Sequence, residues 1–398
     1  MAAADLDTTR SRQDYFQHAI NRMVSYWNEN EAIKNVQVDI LDKERETILK
    51  AITLALDTNG AWSASKNLIT TFTPYMERRG HWEAWHTLLH KAIEKSKEQQ
   101  DLKGETTLTA LLARLCQRQS RFKESVKLYR NVIRLAKQTG NKFEEARACS
   151  NLGYYFSQTP YWYRSEVLCC HALQLFTALE SQHGLAHTHN HLGLLYMQKQ
   201  EWKNAQTQFE RAIELWQSSD QHSLISAYNN LGSVFSFLNS PDQALHYFQK
   251  AHQQAELTGE EALKGLYLTN IAVIQFNKGK IETALKFARE AESIYKHHKD
   301  HRLADTWFLL GEIYLKLEGW EKSSTYFESA LHLCRTSNRR VRQAEILAFI
   351  ITHFLENNDQ SKSQMYFDKY SDIYYRFHLE KNLRLKEKYL EFKEKLSS

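Results

Sequence analysis

One pattern recurs along most of this chain of 398 residues. A small or apolar anchor residue returns every 39 or 40 residues. The eight anchors are Thr73, Ala113, Gly153, Gly193, Gly232, Ala272, Gly311 and Ile351. A period of this size is typical of repeats that stack on one another, each contacting only its neighbours. The recurrence therefore predicts one elongated array in place of the two or three domains that the length alone would suggest.

The best copies share a second level of detail. In the copy Leu192-Gly193, an aromatic residue, Tyr196, follows the glycine, and Ala205, Phe209 and Ala212 follow later. This spacing resembles the tetratricopeptide repeat (TPR), W-x2-L-G-x2-Y followed by A-x3-F. The resemblance implies two antiparallel helices per repeat. For this copy we expect helix A over about 184–198 and helix B over about 201–217, in a variant with a period longer than about 34 residues.

Composition agrees with an all-helical chain. Only 13 Gly and 3 Pro leave little material for strands or tight turns. We predict an all-α fold: a right-handed TPR α-solenoid of about eight helix-turn-helix repeats, with an N-terminal helical cap and a C-terminal capping helix. The expected domains are a cap at 1–60, the TPR array at 61–376 and a capping helix at 377–398. The copies at Thr73 and Ile351 are degenerate, as terminal repeats often are.

Charge and cysteine usage exclude several classes of protein. The 52 Lys and Arg against 47 Asp and Glu give a net charge of only +5, too small to require a polyanionic partner. The five cysteines are an odd number without a C-x-x-C motif, which indicates a reducing compartment. The start lacks a cationic leader, and no run approaches the roughly 18 apolar residues of a membrane helix. We expect a cytoplasmic protein with no membrane partner.

Motifs for catalysis or metal binding are missing from the sequence. No G-x-S-x-G and no H-E-x-x-H occurs. His187 and His191 share a helical face at a spacing that suits a metal, with His183 and His171 as further candidates, but two ligands do not make a site. Cys169 stands where later repeats have Phe209 and Phe248, which predicts a buried, inert thiol. We predict no catalytic residue, no metal and no cofactor.

Asparagines carry the strongest functional signal. Asn151, Asn230 and Asn270 directly precede the Leu-Gly or Ile-Ala step, and Asn190 precedes His191 in the equivalent place. In TPR proteins the A helices line the concave surface, and an amide both donates and accepts, which suits it to hold a peptide backbone. The alternative is that these amides bond to neighbouring helices. The predicted peptide-binding residues are Arg147, Asn151, Asn190, Asn230 and Asn270.

A further resemblance concerns the front end of the chain. The stretches 42–46 (DKERE) and 75–83 (YMERRGHWE), with Ala51 and Leu56 between them, resemble the entry to the TPR sensor arm of STAND signalling NTPases. No G-x-x-x-x-G-K-[ST] occurs, so the nucleotide switch of that family is not encoded here. The resemblance implies a sensor arm that acts without an NTPase module.

These observations predict a non-catalytic TPR scaffold or regulatory sensor whose concave groove binds a protein or peptide. One alternative is a peptide-regulated response regulator antagonist of the Rap type, a class that includes phosphatases. For that activity Gln13, Gln17 and Gln37 are the candidate water-orienting amides.

A second alternative is a nucleic-acid-associated regulator. The arginines at 335, 339, 340 and 342 form the strongest basic cluster of the sequence. Acidic residues lie nearby, no recognition motif accompanies the cluster and the net charge is weak. A solvated linker is therefore the favoured interpretation, and we expect no nucleic-acid partner.

Overall fold

The computed structural model describes residues 2–119, 121–217, 221–258 and 261–397. Within them the chain is helical, with a single 3-10 turn at Leu379–Lys381 and no strand. The helices are α1 (Ala2–Glu29), α2 (Glu31–Lys34), α3 (Val38–Leu56), α4 (Trp62–Arg79), α5 (Trp82–Glu98), α6 (Leu102–Arg118), α7 (Phe122–Thr139), α8 (Lys142–Ser157), α9 (Trp162–Ala178), α10 (Gln182–Gln198), α11 (Trp202–Trp216), α12 (Gln221–Phe237), α13 (Pro241–Thr258), α14 (Glu261–Asn277), α15 (Ile281–His298), α16 (Leu303–Glu318), α17 (Trp320–Thr336), α18 (Arg340–Glu356), α19 (Gln360–Arg376) and α20 (Leu383–Ser397).

Along the described chain, α4 to α19 follow one another as eight helix pairs, one for each anchor. The pair α10 and α11 agrees closely with the helices expected at 184–198 and 201–217. The all-α fold and the repeat architecture predicted from the sequence are thus confirmed. The contacts between residues divide the chain into two compact units, 1–215 and 216–398.

The recurrence extends to the caps that start α6, α8 and α10, three of the A helices of the first unit. Asp101, Asn141 and Ser181 are 40 residues apart, and each accepts a hydrogen bond from a backbone amide three residues later, at 2.8, 3.2 and 3.3 Å. Such caps satisfy donors that a helix start otherwise leaves unpaired. The residue before each cap has a left-handed backbone, with Gly140 at φ 66°. These three repeat boundaries are therefore specified by a short local sequence.

The anchor glycines have a steric cause. A Cβ added at Gly193 would lie 2.6 Å from Cε1 of Phe209, which belongs to the following B helix. Added Cβ atoms at the anchors Gly232 and Gly311 meet Phe248 and Phe327 in the same way, at 2.8 and 2.5 Å. At Gly153 the neighbour is the sulfur of Cys169, at 2.5 Å. The motif therefore encodes the close approach of helices A and B.

In the first unit, α1 to α3 pack beside the first repeat. Ile20, Val24 and Trp27 of α1 are buried in one core with residues of α3 to α6. The two front-end stretches quoted above contact each other: Asp42 accepts hydrogen bonds from the Tyr75 hydroxyl (2.7 Å) and from Nε of Arg79 (3.0 Å).

In the second unit, α20 packs against the end of the array. Leu385, Tyr389 and Phe392 are buried against α19. Leu390 is 54% exposed, so the apolar stripe of this helix is narrower than its sequence suggests. Among the described helices, none combines the length and the apolar character needed to cross a lipid bilayer.

Candidate functional site

The first helices of successive repeats contact one another in the first unit, where α8 packs against both α6 and α10. Six polar or aromatic residues of these three helices form what we call the A-helix surface. They are Arg114, Arg118, Arg147, Asn151, Tyr154 and His191. The sequence singled out Arg147 and Asn151 among them.

His191, and not Asn190, occupies the position of Asn151 in the next repeat. Both lie two residues before their anchor glycine, whereas Asn190 lies three residues before it. Nδ1 of His191 is 2.9 Å from Oγ of Ser150 on α8, and its ring stacks on Tyr154 at 5.0 Å. A side chain at this position thus points toward the preceding A helix. The prediction that the four asparagines occupy equivalent places holds for three of them only.

The same relation appears in the second unit. Asn270 lies two residues before its anchor, and its Nδ2 donates to Oδ1 of Asn229 on α12 at 2.9 Å. For Asn270 the alternative interpretation, an amide that bonds between neighbouring helices, is therefore realised. Asn190 and Asn230 are half-buried.

Asn151 differs from Asn270 because its counterpart on the preceding A helix is apolar. The residue on α6 that corresponds to Asn229 is Ala110, which offers no side-chain acceptor. Asn151 is half-buried, and its side chain makes no hydrogen bond to any other residue that the structure describes. A half-buried amide with unused donors and acceptors is suited to bind an external backbone.

Arg147 lies one helical turn before Asn151 on α8, Arg114 and Arg118 lie on the neighbouring helix α6, and carboxylates partly neutralise these three arginines. Nη2 of Arg147 lies 2.8 Å from Oε2 of Glu144, and burial raises the pKa of that glutamic acid. Glu77 lies between Nε of Arg114 (2.8 Å) and Nε of Arg118 (3.4 Å). Three arginines and two glutamates leave one positive charge on the A-helix surface. This charge is weaker than the sequence suggested, but it still favours an anionic group on a ligand.

Burial controls the protonation of His191. Burial, together with a smaller effect of the neighbouring His187, lowers the pKa of this imidazole from 6.5 to about 3. The ring is therefore neutral at physiological pH and serves as a hydrogen-bonding and stacking group.

Among the described residues, no third metal-ligand atom joins those of His183 and His187 on α10. Nε2 of His183 and Nε2 of His187 are 3.0 Å apart, and the ring of His191 is 6.4 Å from that of His187. His171, the fourth candidate, instead lies 3.0 Å from Oε1 of Glu145. Two nitrogens alone make a poor metal site.

A group that the sequence did not indicate joins His86, Cys116 and Glu124, whose ligand-type atoms lie within 4.8 Å of one another. However, Nη1 of Arg121 is 3.0 Å from Nε2 of His86, so a cation already contacts that nitrogen. Arg121 also pairs with Glu83 at 3.0 Å. This arrangement is a charge network across α5 and α7, and it makes a weak metal site.

The described cysteines show no sign of activation. Cys116, Cys149 and Cys169 are buried, and burial raises the pKa of each thiol, to about 12 for Cys116 and Cys149. A thiol that stays protonated is a poor nucleophile. The exposed Cys170 also has a raised pKa because of partial burial.

The arginine cluster divides into two pairs. Arg339 and Arg342 both contact Asp305 on α16, at 2.8 and 2.7 Å, and Arg342 also pairs with Glu345 at 3.0 Å. These two arginines therefore hold neighbouring repeats together. Arg335 and Arg340 do not share the contact with Asp305; they line a cavity that is described below.

The sequence analysis also missed a half-buried acid on α16. Glu312 directly follows the anchor Gly311, where Tyr154 and Leu194 stand in other repeats, and burial raises its pKa from 4.5 to about 7. The sequence did contain a signal, a charged residue at a position that is apolar in several other repeats.

The tetratricopeptide repeat family matches the chain at residues 107–143 and 184–256. No curated protein matches it. Among solved structures, the chain is similar to a signal transduction ATPase with numerous domains (STAND) with a tetratricopeptide repeat sensor, from Pyrococcus horikoshii. The two are 13% identical with a TM-score of 0.64, over 92% of this chain and 55% of that chain.

Two further structures have a similar fold over nearly the whole chain. The apo form of RapI is 15% identical with a TM-score of 0.64, over 92% of this chain and 99% of that chain. The apo form of the quorum sensor NprR from B. thuringiensis is 14% identical with a TM-score of 0.60, over 90% and 99%. Four observations indicate the same repeat: the spacing of the anchors, the pairing of the helices, the family matches and the folds of these solved structures. The chain is a tetratricopeptide repeat protein.

Proposed function

We propose that this protein is a non-catalytic scaffold or regulatory sensor in the cytoplasm, and that it binds a protein or peptide on the first helices of its repeats. The candidate binding residues are Arg147, Asn151 and Asn190 in the first unit, and Asn230 and Asn270 in the second. The observation that carries the proposal is Asn151, a half-buried amide that makes no hydrogen bond to any other described residue.

Asn151 and Arg147 are one helical turn apart, so their polar groups are neighbours on α8. The amide can hold a peptide group of the ligand, because it donates and accepts at once. The net positive charge contributed by Arg114, Arg118 and Arg147 favours a carboxylate on the same ligand. We therefore expect an extended peptide with an acidic side chain or a free C-terminus.

A peptide-selection experiment tests this proposal. Peptides would be selected against the full chain from a random library, and their affinities measured by fluorescence polarisation. For Asn151→Ala we expect at least about tenfold weaker binding, since a hydrogen bond to a desolvated partner is lost. The melting temperature should not fall, because the Asn151 side chain makes no hydrogen bond within the described residues and alanine favours a helix.

Asn204→Ala is the matched control. Asn204 is exposed on α11, where its amide bonds to Glu201 at 2.7 Å. This variant should bind the selected peptides like the wild type. If Asn151→Ala and Asn204→Ala bind equally well, the A-helix surface is not the binding site.

A Rap-type phosphatase activity remains the second candidate, since the fold resembles RapI. No side-chain arrangement among the described residues favours it. The Gln17 amide donates to the backbone oxygen of Asn59, Gln37 is exposed at the start of α3, and the side chain of Gln13 lies outside the described residues. We therefore assign no reaction to the N-terminal helices.

A further inference from the structure

A cavity of about 460 Å³ lies between α17, α18 and α19 in the second unit. Its volume falls in the range of small-molecule sites. Four cationic side chains line it, Arg335, Arg340, Lys369 and Arg376. Its apolar lining includes Leu331, Leu347 and Ile373. The cavity contains none of the candidate peptide-binding residues, which lie on α8, α10, α12 and α14.

Two of the four cations have no acidic partner among the residues that the structure describes. Arg335 makes no ion pair with any residue that the structure describes. Arg340 makes no ion pair with any residue that the structure describes: it donates to Oδ1 of Asn338 and to Oε1 of Gln343, both at 3.1 Å, and its guanidinium lies 4.5 Å from the centre of the Phe377 ring. Their sequence neighbours Arg339 and Arg342 are instead paired with Asp305, as described above. The cluster therefore divides into two pairs: Arg339 and Arg342 hold neighbouring repeats together, whereas Arg335 and Arg340 face the cavity.

The other two cations are paired only within the cavity wall. Lys369 lies 4.0 Å from Glu328, and Arg376 lies 2.7 Å from Asp372. Four cations and two carboxylates leave a local charge of +2. The N-terminus of α18 adds partial positive charge to the cavity wall, because no side chain caps it. The wall therefore offers two guanidinium groups and a helix start to an anion.

We propose that this cavity binds a small phosphorylated molecule. The phosphate dianion is held by Arg335 and Arg340, since planar guanidinium groups bind phosphate oxygens in pairs. Leu331, Leu347 and Ile373 contact the uncharged part of the ligand. The charge of the site matches that of a phosphate monoester, and its apolar wall distinguishes such a molecule from inorganic phosphate.

Calorimetric titration of the full chain at low ionic strength tests the proposal, with inorganic phosphate, pyrophosphate and a panel of nucleoside monophosphates as probes. We expect at least one nucleoside monophosphate to bind more tightly than inorganic phosphate. Arg335→Gln and Arg340→Gln should each weaken binding about tenfold or more. Arg211→Gln is the control: Arg211 is exposed on α11 and pairs with Glu214, so it changes the net charge equally elsewhere.

A second variant should strengthen binding. Glu328→Gln removes a negative charge from the wall and releases Lys369, so the same nucleotide should bind several times more tightly. This gain cannot result from misfolding. The proposal is overturned if no probe binds at millimolar concentration, if Arg335→Gln and Arg340→Gln bind like Arg211→Gln, or if Glu328→Gln leaves the affinity unchanged.

Discussion

Alanine in place of the anchor Gly193 should destabilise the protein by about 1–3 kcal/mol, the usual cost of overpacking a core. Helix propensity alone predicts the opposite, a gain of about 1 kcal/mol. The steric effect dominates because the new Cβ would lie 2.6 Å from the ring of Phe209, which is fully buried and has no room to move. Denaturant unfolding, followed by tryptophan fluorescence, measures the difference.

The sign should reverse once the ring is removed. Phe209→Ala by itself is expected to cost about 3–5 kcal/mol through the cavity that it leaves. When Phe209 is already replaced by alanine, the Cβ added by Gly193→Ala meets no ring, so this second substitution should be neutral or stabilising. The protein already contains this combination, since the anchor Ala272 has Ala288 at the equivalent place on helix B. Equal effects of Gly193→Ala in both backgrounds would contradict the steric origin of the motif.

The repeat architecture could be predicted from the sequence because its causes are local. The anchors, the aromatic residue on helix B and the caps at Asp101, Asn141 and Ser181 each act within one repeat. Their spacing therefore appears directly in the sequence, and the helices of the repeat around Gly193 were expected to within two residues.

The site was only partly predictable, because its contacts join different repeats. Asn151 and Asn270 occupy equivalent positions, yet one is unpaired within the described chain and the other is bonded. The difference depends on whether Ala110 or Asn229 stands on the preceding helix, about 40 residues away. Alignment to the anchors alone does not show which neighbour a side chain meets, and it misplaced Asn190 by one residue.

The arginine cluster gives a second example. Four arginines within eight residues look equivalent in sequence. Asp305 lies more than 30 residues earlier and neutralises Arg339 and Arg342 only, because the helix turns the side chain of Arg340 toward the cavity. The charge that remains available depends on the partners in space and not on the number of arginines.

Acid should destabilise this protein through His191. Its pKa is about 3 in the folded chain and 6.5 in an exposed imidazole, so between these values the unfolded chain binds more protons. Stability therefore rises with pH in this window. Between pH 6.5 and pH 5 the expected loss is about 2 kcal/mol, from 1.36 kcal/mol per pKa unit. Asn is the matched replacement, since Asn151 and Asn270 stand at the equivalent positions.

Glu312 should act in the opposite direction. Its pKa is raised from 4.5 to about 7, so between these values the folded chain holds a proton that the unfolded chain has lost, and stability falls as pH rises. Unfolding curves at pH 5, 6 and 7 separate the two groups. His191→Asn should flatten the acid side of the profile, and Glu312→Gln should raise stability at pH 7 relative to pH 5. If His191→Asn keeps the wild-type slope of unfolding free energy against pH, another group titrates. If the two variants change this slope in opposite directions, each slope is assigned to one residue.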